Sequence, residues 1–228
     1  MDIVYKSKNA VIINKPIGTP SETDPSGDMD ALKLTSVALT DMGEVGDVYP
    51  VHRLDRVVGG VLLIARSSNA AARISERIRD RQLVKEYFAV VEGRPQSDHG
   101  VLTDLLYKDA RQGKSFVTNR MRSGVKEATL EYSLLGTARV DGGERSLLRV
   151  RLGTGRHHQI RVQLSSRRLP IVGDGKYGSR DHGCHTPALF SCRIEASIGK
   201  EKIGARILPE LGAYPWSLFE ADSYSFGD

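Results

Sequence analysis

Apolar and polar positions change their period repeatedly along this chain, which predicts short strands interleaved with helices. The segment "AVIINKPIG", residues 10–18, predicts an apolar strand that ends in a turn at Pro16 and Gly18. The run "VLLIA", residues 61–65, is apolar on both faces and predicts a central buried strand rather than an edge strand. Between them, the polar stretch "TPSETDPSGD", residues 19–28, predicts a surface loop.

Helical spacing of apolar residues is clearest in "SSNAAARISERIRDRQL", which Ser67 or Ser68 can cap. A weaker helical pattern lies in "MDALKLTSVALT", and a third in "GTGRHHQIRVQLSS", after a turn at Gly153 and Gly155. In the first of these segments, basic residues occur at every fourth position and continue beyond it: Arg73, Arg77, Arg81 and Lys85. They would form a basic stripe if the helix extended that far. We interpret the stripe as a solvated face with nearby acidic partners, in preference to an RNA-contacting face.

Strand patterns fill most of the middle of the chain. "KEYFAVVEG", residues 85–93, alternates with a period of two, and "SLLRVRL", residues 146–152, reads as another strand. Residues 100–135 predict further strands around a basic, glycine-containing loop, "KDARQGKSFVTNRMRSG". Strands and helices are interleaved without regular alternation, and several strands are close enough for hairpins. The pattern therefore predicts an α+β protein, which we expect to form one domain over residues 1–228.

Composition and charge narrow the class of protein. The chain is 39% hydrophobic and 27% charged, as in ordinary globular proteins. Its apolar runs are too short to span a bilayer and its N-terminus lacks a signal-peptide pattern, so we expect a cytoplasmic protein. Two cysteines do not make a disulfide framework. A net charge of +5 makes an anionic partner such as nucleic acid plausible.

The first candidate for chemistry is "YPVHRLDRVVGG", where four charged or titratable residues directly precede the apolar run. Asp55 would lie in a loop braced by a buried strand, where catalytic groups are commonly presented. Arg53 and Arg56, or an arginine from 156 or 161, would favour its ionised form, which can serve as a nucleophile or a base. The alternative is a structural cluster of ion pairs. Tyr87 offers a ring that could stack on a base, or could equally be plain core.

Metal binding is the weaker interpretation of the histidines and cysteines. His157 and His158 are adjacent, and adjacent helical residues point too far apart to share one metal ion readily. The segment "DHGCHTPALFSC" carries residue types that suit zinc, but its spacing fits no standard pattern. We therefore predict no metal site.

Several blocks together resemble the RluA-type RNA pseudouridine synthases. The blocks are "VHRLDRVVGGVLLIAR", "VKEYFAVVEG", "LGTGRHHQIRVQL" and "LPIVGDGKYG", and they occur in the order in which that family has them. The opening "VIINKPIG" and the segment "KEATLEYSLL" match as well, so the resemblance extends from about residue 3 to residue 195. It implies a single catalytic domain with a mixed, mostly antiparallel β-sheet, flanking helices and an RNA-binding cleft.

The resemblance also implies isomerisation of uridine to pseudouridine in structured ribosomal or transfer RNA. It assigns Asp55 as the essential aspartate, Tyr87 as the ring that packs on the flipped base, and Arg161 as the basic partner of the aspartate. Arg53 would enter the RNA stack and Ile160 would line the base pocket. His52 and Arg156 complete the predicted RNA-binding residues.

The chemistry of this reaction agrees with the residues available. The isomerisation neither adds nor removes electrons and consumes no water, so we expect no cofactor. A glycoside hydrolase would need two facing carboxylates, whereas these motifs offer one. Whether that carboxylate attacks the sugar or the base, or removes a ribose proton, stays open. Flipping a base from its stack costs a few kcal/mol, which explains a wedge and a stacking ring.

Three departures from the family pattern bear on the site. "VGG" at residues 58–60 stands where the family usually has Thr-Ser-Gly, and we expect the lost hydroxyls to affect the loop that carries Asp55. His157 replaces a usual threonine, and Gln163 a usual histidine.

No separate N-terminal RNA-binding module is recognised, so RNA selection is expected from the segment between Arg111 and Arg122, which could instead be a solvated surface turn. We expect a monomer without an obligatory protein partner and without membrane association. A non-catalytic RNA-binding protein that retains the scaffold is the rival hypothesis.

Overall fold

The computed structural model describes residues 1–44 and 47–227. The helices are α1 (Ala31–Asp41), α2 (Ser68–Arg79) and α3 (Gln159–Ser165). The strands are β1 (Asp2–Lys6), β2 (Ala10–Lys15), β3 (Tyr49–Pro50), β4 (Gly59–Ala65), β5 (Val84–Glu92), β6 (His99–Asp109), β7 (Lys114–Thr118), β8 (Val125–Val140), β9 (Gly143–Leu152), β10 (Leu189–Ile198) and β11 (Glu201–Arg206).

Two compact units make up the described chain. The first contains residues 1–44, 47–85 and 190–209, and the second contains residues 86–189 and 210–227. Asp55 belongs to the first unit, whereas Tyr87 and Arg161 belong to the second.

In the first unit, β2 pairs antiparallel with β1 on one side and β4 on the other, and β3 also pairs antiparallel with β4. β10 runs parallel to β4 over two residue pairs and pairs antiparallel with β11. All seven residues of β4 are buried, as the apolar run predicted. Helix α2 contributes Ala70 and Ile74 to the buried core that β4 shares with β2, β10 and β11.

A close approach between backbones explains one of the glycines in "VGG". Gly60 has φ of +110°, and a Cβ at this position would lie 2.1 Å from the carbonyl oxygen of Ser191. This contact occurs where β4 pairs with β10, because Gly60 is the pairing partner of Ser191. The position therefore requires glycine on grounds of space and of backbone conformation.

In the second unit, the strands form the antiparallel order β5–β9–β8–β6–β7. Residues Glu86 to Val91 of β5 are all buried, which identifies it as an interior strand covered on both faces. Helix α3 packs Val162 against Leu106 of β6 and Ala128 of β8. The C-terminal segment contributes Tyr224, whose ring meets Phe88 of β5 edge-on at 5.3 Å between centroids.

The helices agree with the sequence pattern, with one correction. Ser67 caps α2 by accepting a hydrogen bond from Ala70 N–H at 3.1 Å, as predicted. The helix ends at Arg79, however, so Arg81 lies beyond it and Lys85 lies on β5. The four-residue basic stripe is therefore not a helical face, because the chain leaves the helix before the stripe is complete.

The predicted fold class is confirmed. Within the two described units, every strand pair is antiparallel except β4 with β10, which gives a mixed, mostly antiparallel arrangement with helices. Among the described residues no helix is both long enough and apolar enough to cross a membrane.

Candidate active site

Asp55 lies in the loop that connects β3 to β4, and apolar side chains on both sides anchor this loop. Leu54 is 5% exposed and Val58 is 1% exposed, while Asp55 itself is half-buried. The carbonyl oxygen of Asp55 accepts a hydrogen bond from Val58 N–H at 3.0 Å, which closes a tight turn. The buried strand thus supports a loop with a carboxylate near its centre, as the sequence predicted.

His52 attaches the start of this loop to β4. Its Nε2 accepts a hydrogen bond from Leu63 N–H at 3.1 Å. Burial lowers the pKa of His52 to about 3, and the charge of Lys85 acts in the same direction. His52 is therefore a neutral imidazole with its proton on Nδ1, and any contact with RNA would use that nitrogen.

Lys15 is a buried cationic residue next to the Asp55 loop, and the sequence pattern assigned no individual role to it. Only 1% of Lys15 is exposed, and its Nζ donates to the carbonyl oxygens of Pro16 at 3.0 Å, Thr19 at 2.8 Å and Arg56 at 3.4 Å. Burial lowers the pKa of Lys15 to about 8, although the nearby Asp55 carboxylate raises it. The lysine thus ties the end of β2 to the backbone directly after Asp55.

The two arginines beside Asp55 differ in their surroundings. Both side chains are exposed, but the guanidinium of Arg56 pairs with the carboxylate of Asp28 and lies 3.6 Å from a carboxylate oxygen of Asp24. The expectation that Arg56 serves mainly to favour ionisation of Asp55 is therefore incomplete, because acidic residues of the preceding loop occupy it. Arg53 remains the exposed arginine that precedes the carboxylate.

That preceding loop is not entirely superficial. The prediction of a surface loop for residues 19–28 is wrong at Ser21, which is 7% exposed. Its hydroxyl forms hydrogen bonds with the backbone of Leu54, the residue before Asp55. Sequence composition offered no signal for this burial, since the stretch contains only polar residues, glycine and proline.

In the second unit, Tyr87 is 6% exposed and lies on β5, opposite Val150 of β9. The structure thus contains a tyrosine ring held by a buried interior strand. This placement agrees with the core interpretation of Tyr87 and leaves its stacking role as a prediction.

Arg161 forms a buried ion pair within the second unit. Its Nε and Nη2 donate to the two carboxylate oxygens of Asp174 at 2.6 and 2.8 Å, and both side chains are at most 5% exposed. The guanidinium carbon also lies 5.0 Å from the centre of the Tyr177 ring. Asp174 and Tyr177 were not among the predicted site residues, although they lie in the quoted block "LPIVGDGKYG".

The remaining predicted residues are Arg156, in the turn before α3, and Ile160, in the first turn of α3. Ile160 is 4% exposed, whereas Arg156 is exposed and its Nε donates to the carbonyl oxygen of Glu127 at 2.9 Å. His158 adopts a left-handed conformation with φ of +52° and stacks on His157 at 3.7 Å between ring centroids. Burial lowers the pKa of His158 well below its usual range, and the neighbouring cationic Arg161 acts in the same direction.

Gln163, one of the departures, is fully buried in α3. Its Nε2 donates to a carboxylate oxygen of Asp104 at 2.7 Å, and the same carboxylate accepts two hydrogen bonds from Arg167. Its Oε1 is buried and has no hydrogen-bond partner among the described residues. The amide therefore satisfies a buried acid through one end and leaves the other end unpaired.

The basic segment between Arg111 and Arg122 is a hairpin rather than a simple loop, because β7 pairs with β6. Arg111, Arg120 and Arg122 are exposed, and Arg122 lies over the ring of Tyr107 at 4.8 Å. The side chain of Ser115 anchors the hairpin by donating to the carbonyl oxygen of His157 at 2.8 Å. The segment thus presents three exposed arginines, with the exposed side chain of Met121 between two of them.

Metal ligands are not assembled in the described part of the chain. Residues 1–44 and 47–227 contain no group of three or more histidine, cysteine, aspartate or glutamate side chains that could hold a metal ion. The alternative of a zinc site in "DHGCHTPALFSC" gains no support from this arrangement.

Comparisons with known proteins agree with the resemblance seen in the sequence. A family model described as RNA pseudouridylate synthase matches residues 9–166. The ribosomal large subunit pseudouridine synthase D of Borreliella burgdorferi is 31% identical over 206 residues, which cover 87% of this chain and 61% of that protein. The tRNA pseudouridine synthase C of Pectobacterium carotovorum is 32% identical over 199 residues, which cover 84% of this chain and 52% of that protein.

Solved structures show the same fold. The human RNA pseudouridylate synthase domain containing 1 superposes with a TM-score of 0.76 at 21% identity, covering 92% of this chain and 83% of that chain. The human RNA pseudouridylate synthase domain containing 4 superposes with a TM-score of 0.75 at 24% identity, covering 92% of this chain and 89% of that chain. This chain spans little more than half the length of several curated relatives that it matches.

Proposed function

Because this chain belongs to the RNA pseudouridylate synthase family, we propose that it isomerises uridine to pseudouridine in structured RNA. The observation that carries the proposal is the family match over residues 9–166, which includes Asp55, Tyr87 and Arg161. The names of the relatives indicate ribosomal and transfer RNA as the two substrate classes to test.

In the proposed reaction, Asp55 is the catalytic carboxylate. The bond from uracil N1 to ribose C1′ breaks, the base turns, and a bond from C5 to C1′ forms, while a proton leaves C5 and N1 gains one. A single carboxylate in a fixed loop can attack the sugar or the base, or remove a ribose proton. The half-burial of Asp55 and the hydrogen-bonded turn around it support a carboxylate held in one orientation.

The other roles follow the demands of a flipped base. The exposed side chain of Arg53 would enter the gap that the uridine leaves, and the ring of Tyr87 would pack against the flipped base. Ile160 would line the base pocket and Arg161 would stabilise the ionised form of Asp55. His52 and Arg156 would contact the RNA backbone, the first through Nδ1 and the second through its exposed guanidinium.

Release of tritium from RNA labelled at uridine C5 tests the reaction, because bond formation at C5 expels that hydrogen. The RNA would come from cells that lack this protein, so that its target uridine is unmodified. We expect release by the wild type from either the ribosomal or the transfer RNA pool, and release at background level by Asp55→Asn. The control is Asp98→Asn, which replaces an exposed aspartate of the second unit and should release tritium at the wild-type level.

The rival hypothesis of a non-catalytic RNA-binding protein predicts a different result. In that case the wild type would bind RNA with high affinity and release no tritium from either pool, and Asp55→Asn would bind equally well. If Asp55→Asn released tritium as the wild type does, Asp55 would be rejected as the catalytic carboxylate.

A further inference from the structure

The backbone on both sides of Asp55 is held by one short segment of the first unit, residues 18–21. After Asp55, the carbonyl oxygen of Arg56 accepts a hydrogen bond from Gly18 N–H at 2.8 Å. Before Asp55, the hydroxyl of Ser21 contacts Leu54. The carboxylate is thus carried between two residues whose main chains are fixed by the same neighbouring segment.

The contact between Ser21 and Leu54 is reciprocal. The Oγ of Ser21 accepts from Leu54 N–H at 2.9 Å and donates to the Leu54 carbonyl oxygen at 2.8 Å. One hydroxyl therefore satisfies both main-chain groups of a residue that lies in a loop outside the strands. Because Ser21 and Leu54 are both buried, loss of the hydroxyl would leave a buried donor and a buried acceptor unpaired.

Ser21 is itself held in position by its neighbours. The carbonyl oxygen of Thr19 accepts from Nζ of Lys15 at 2.8 Å, and that of Pro20 accepts from Ala31 N–H at 2.8 Å. Ala31 begins α1, which a buried Asp30 caps by accepting from Lys33 N–H. The hydroxyl is therefore presented from a segment attached to β2 on one side and to a helix on the other.

We infer that Ser21 is a positioning residue that sets the orientation of Asp55 through the backbone of Leu54. This inference rests on the proposed function, in which Asp55 is the catalytic carboxylate. None of the residues from Val51 to Val58 carries a hydroxyl, so the loop itself has no side chain that could form this contact. Displacement of a catalytic group by about 1 Å costs on the order of a hundredfold in rate.

A pair of isosteric variants isolates the hydroxyl. Ser21→Thr keeps an oxygen that can both accept from and donate to Leu54, whereas Ser21→Val has the same shape without it. Ser21→Ala removes the oxygen without adding a methyl group, in case the buried site does not accommodate a branched side chain. Thr35→Val is the control, because Thr35 is a buried residue of α1 whose hydroxyl donates to Ala31 O at 2.6 Å.

Hydrogen exchange of the Leu54 amide in the intact protein reports on the contact without reference to activity. We expect exchange to be on the order of tenfold faster in Ser21→Ala and Ser21→Val, and unchanged in Ser21→Thr and Thr35→Val. Unchanged exchange in both Ser21→Ala and Ser21→Val would overturn the inference, whether or not the wild type releases tritium.

Turnover then separates positioning from general stability. In Ser21→Ala and Ser21→Val, the single-turnover rate of tritium release should fall at least roughly tenfold while the Kd for RNA stays within about twofold. Ser21→Thr should restore the rate, and Thr35→Val should lose stability but keep the rate. A wild-type rate in Ser21→Ala would overturn the role of Ser21. If the wild type released no tritium, the proposed function would be rejected. The hydrogen exchange of the Leu54 amide would still show whether Ser21 holds the backbone of Leu54.

Discussion

Arg161 and Asp174 form a bidentate ion pair in which the arginine side chain is 5% exposed and the aspartate side chain 1% exposed. The two hydrogen bonds, at 2.6 and 2.8 Å, fix the plane of the guanidinium, and the Tyr177 ring covers one of its faces. A guanidinium has five N–H donors, of which this pair uses two. Asp174 thus fixes the orientation of the Arg161 guanidinium.

Asp174→Asn should destabilise the protein strongly, because it removes a buried carboxylate that forms two hydrogen bonds with the buried guanidinium of Arg161. Removal of one member of a buried pair costs roughly 3 kcal/mol or more of the free energy of unfolding. Urea unfolding monitored by circular dichroism at pH 7 would measure the change.

The exposed pair of Arg94 and Asp98 provides the matched control. Their side chains are 53% and 63% exposed and the contact is 3.4 Å long, so Asp98→Asn should cost less than about 1 kcal/mol. If Asp174→Asn and Asp98→Asn lowered the free energy of unfolding equally, the buried ion pair of Arg161 would contribute no more to stability than an exposed pair.

His52 makes the stability of the protein sensitive to acid. Its pKa is about 3 in the folded chain, compared with about 6.5 when unfolded, so between these values the unfolded chain binds a proton that the folded chain does not. The contribution of His52 to the free energy of unfolding is complete above about pH 6.5. It is lost as the pH falls, by as much as ~1.4 kcal/mol per pH unit.

His52→Gln should reduce this dependence, because glutamine can still accept from Leu63 N–H and does not titrate. The free energy of unfolding, measured between pH 7.5 and pH 4, should fall less steeply in the variant than in the wild type. Parallel curves for the two proteins would show that His52 is not the group responsible.

Local pattern predicted the elements that depend on neighbours in sequence. The burial of β4 followed from five consecutive apolar residues, and the start of α2 followed from a serine before a helical repeat. The loop position of Asp55 followed from the same pattern, since charged residues directly precede the strand. These features are set within a few residues of the chain.

Buried polar contacts were not predictable in the same way. Ser21 contacts Leu54, 33 residues away, and Arg161 contacts Asp174, 13 residues away. Composition marks a polar residue as a surface residue unless a partner is known, and the partner is supplied only by the tertiary fold. For this reason the burial and the contacts of Lys15 were not predicted, although it lies at the end of a correctly predicted strand.

Lys15 should make the protein more stable as the pH rises above about 8. Its pKa is lowered to about 8 by burial, so between pH 8 and its ordinary value near 10.5 the folded chain binds fewer protons than the unfolded chain. The free energy of unfolding should rise by roughly 3 kcal/mol over this interval from Lys15 alone.

Lys15→Met and Lys15→Arg should both lack this increase, the first because it has no titrating group and the second because arginine stays protonated. Both variants should be less stable than the wild type at pH 7.5, where three carbonyl oxygens lose or change their donor. The measured quantity is the difference in free energy of unfolding from the wild type, which should widen between pH 8 and pH 10. A constant difference would mean that Lys15 titrates at its ordinary pKa.

The hairpin of β6 and β7 should supply electrostatic contacts to RNA. Arg111 and Arg120 are exposed on this hairpin. If each meets one phosphate, the double variant Arg111→Gln, Arg120→Gln should bind more weakly and reduce the slope of log Kobs against log salt by about 1.4 for single-stranded and about 1.8 for duplex contacts. Filter binding of ribosomal or transfer RNA fragments at several salt concentrations would give this slope.

A control with the same loss of charge distinguishes a contact from a general effect of net charge. Arg79, the last residue of α2, and Arg81, two residues after it, are both exposed, and Arg81 is one of the basic residues that we interpret as solvated. Arg79→Gln, Arg81→Gln should therefore leave the salt slope within about 0.3 of the wild-type value, since it removes two charges without removing phosphate contacts. If this control reduced the slope and the hairpin variant did not, the RNA would contact the α2 surface instead. Because both variants change the net charge equally, a difference between their salt slopes excludes net charge as its cause.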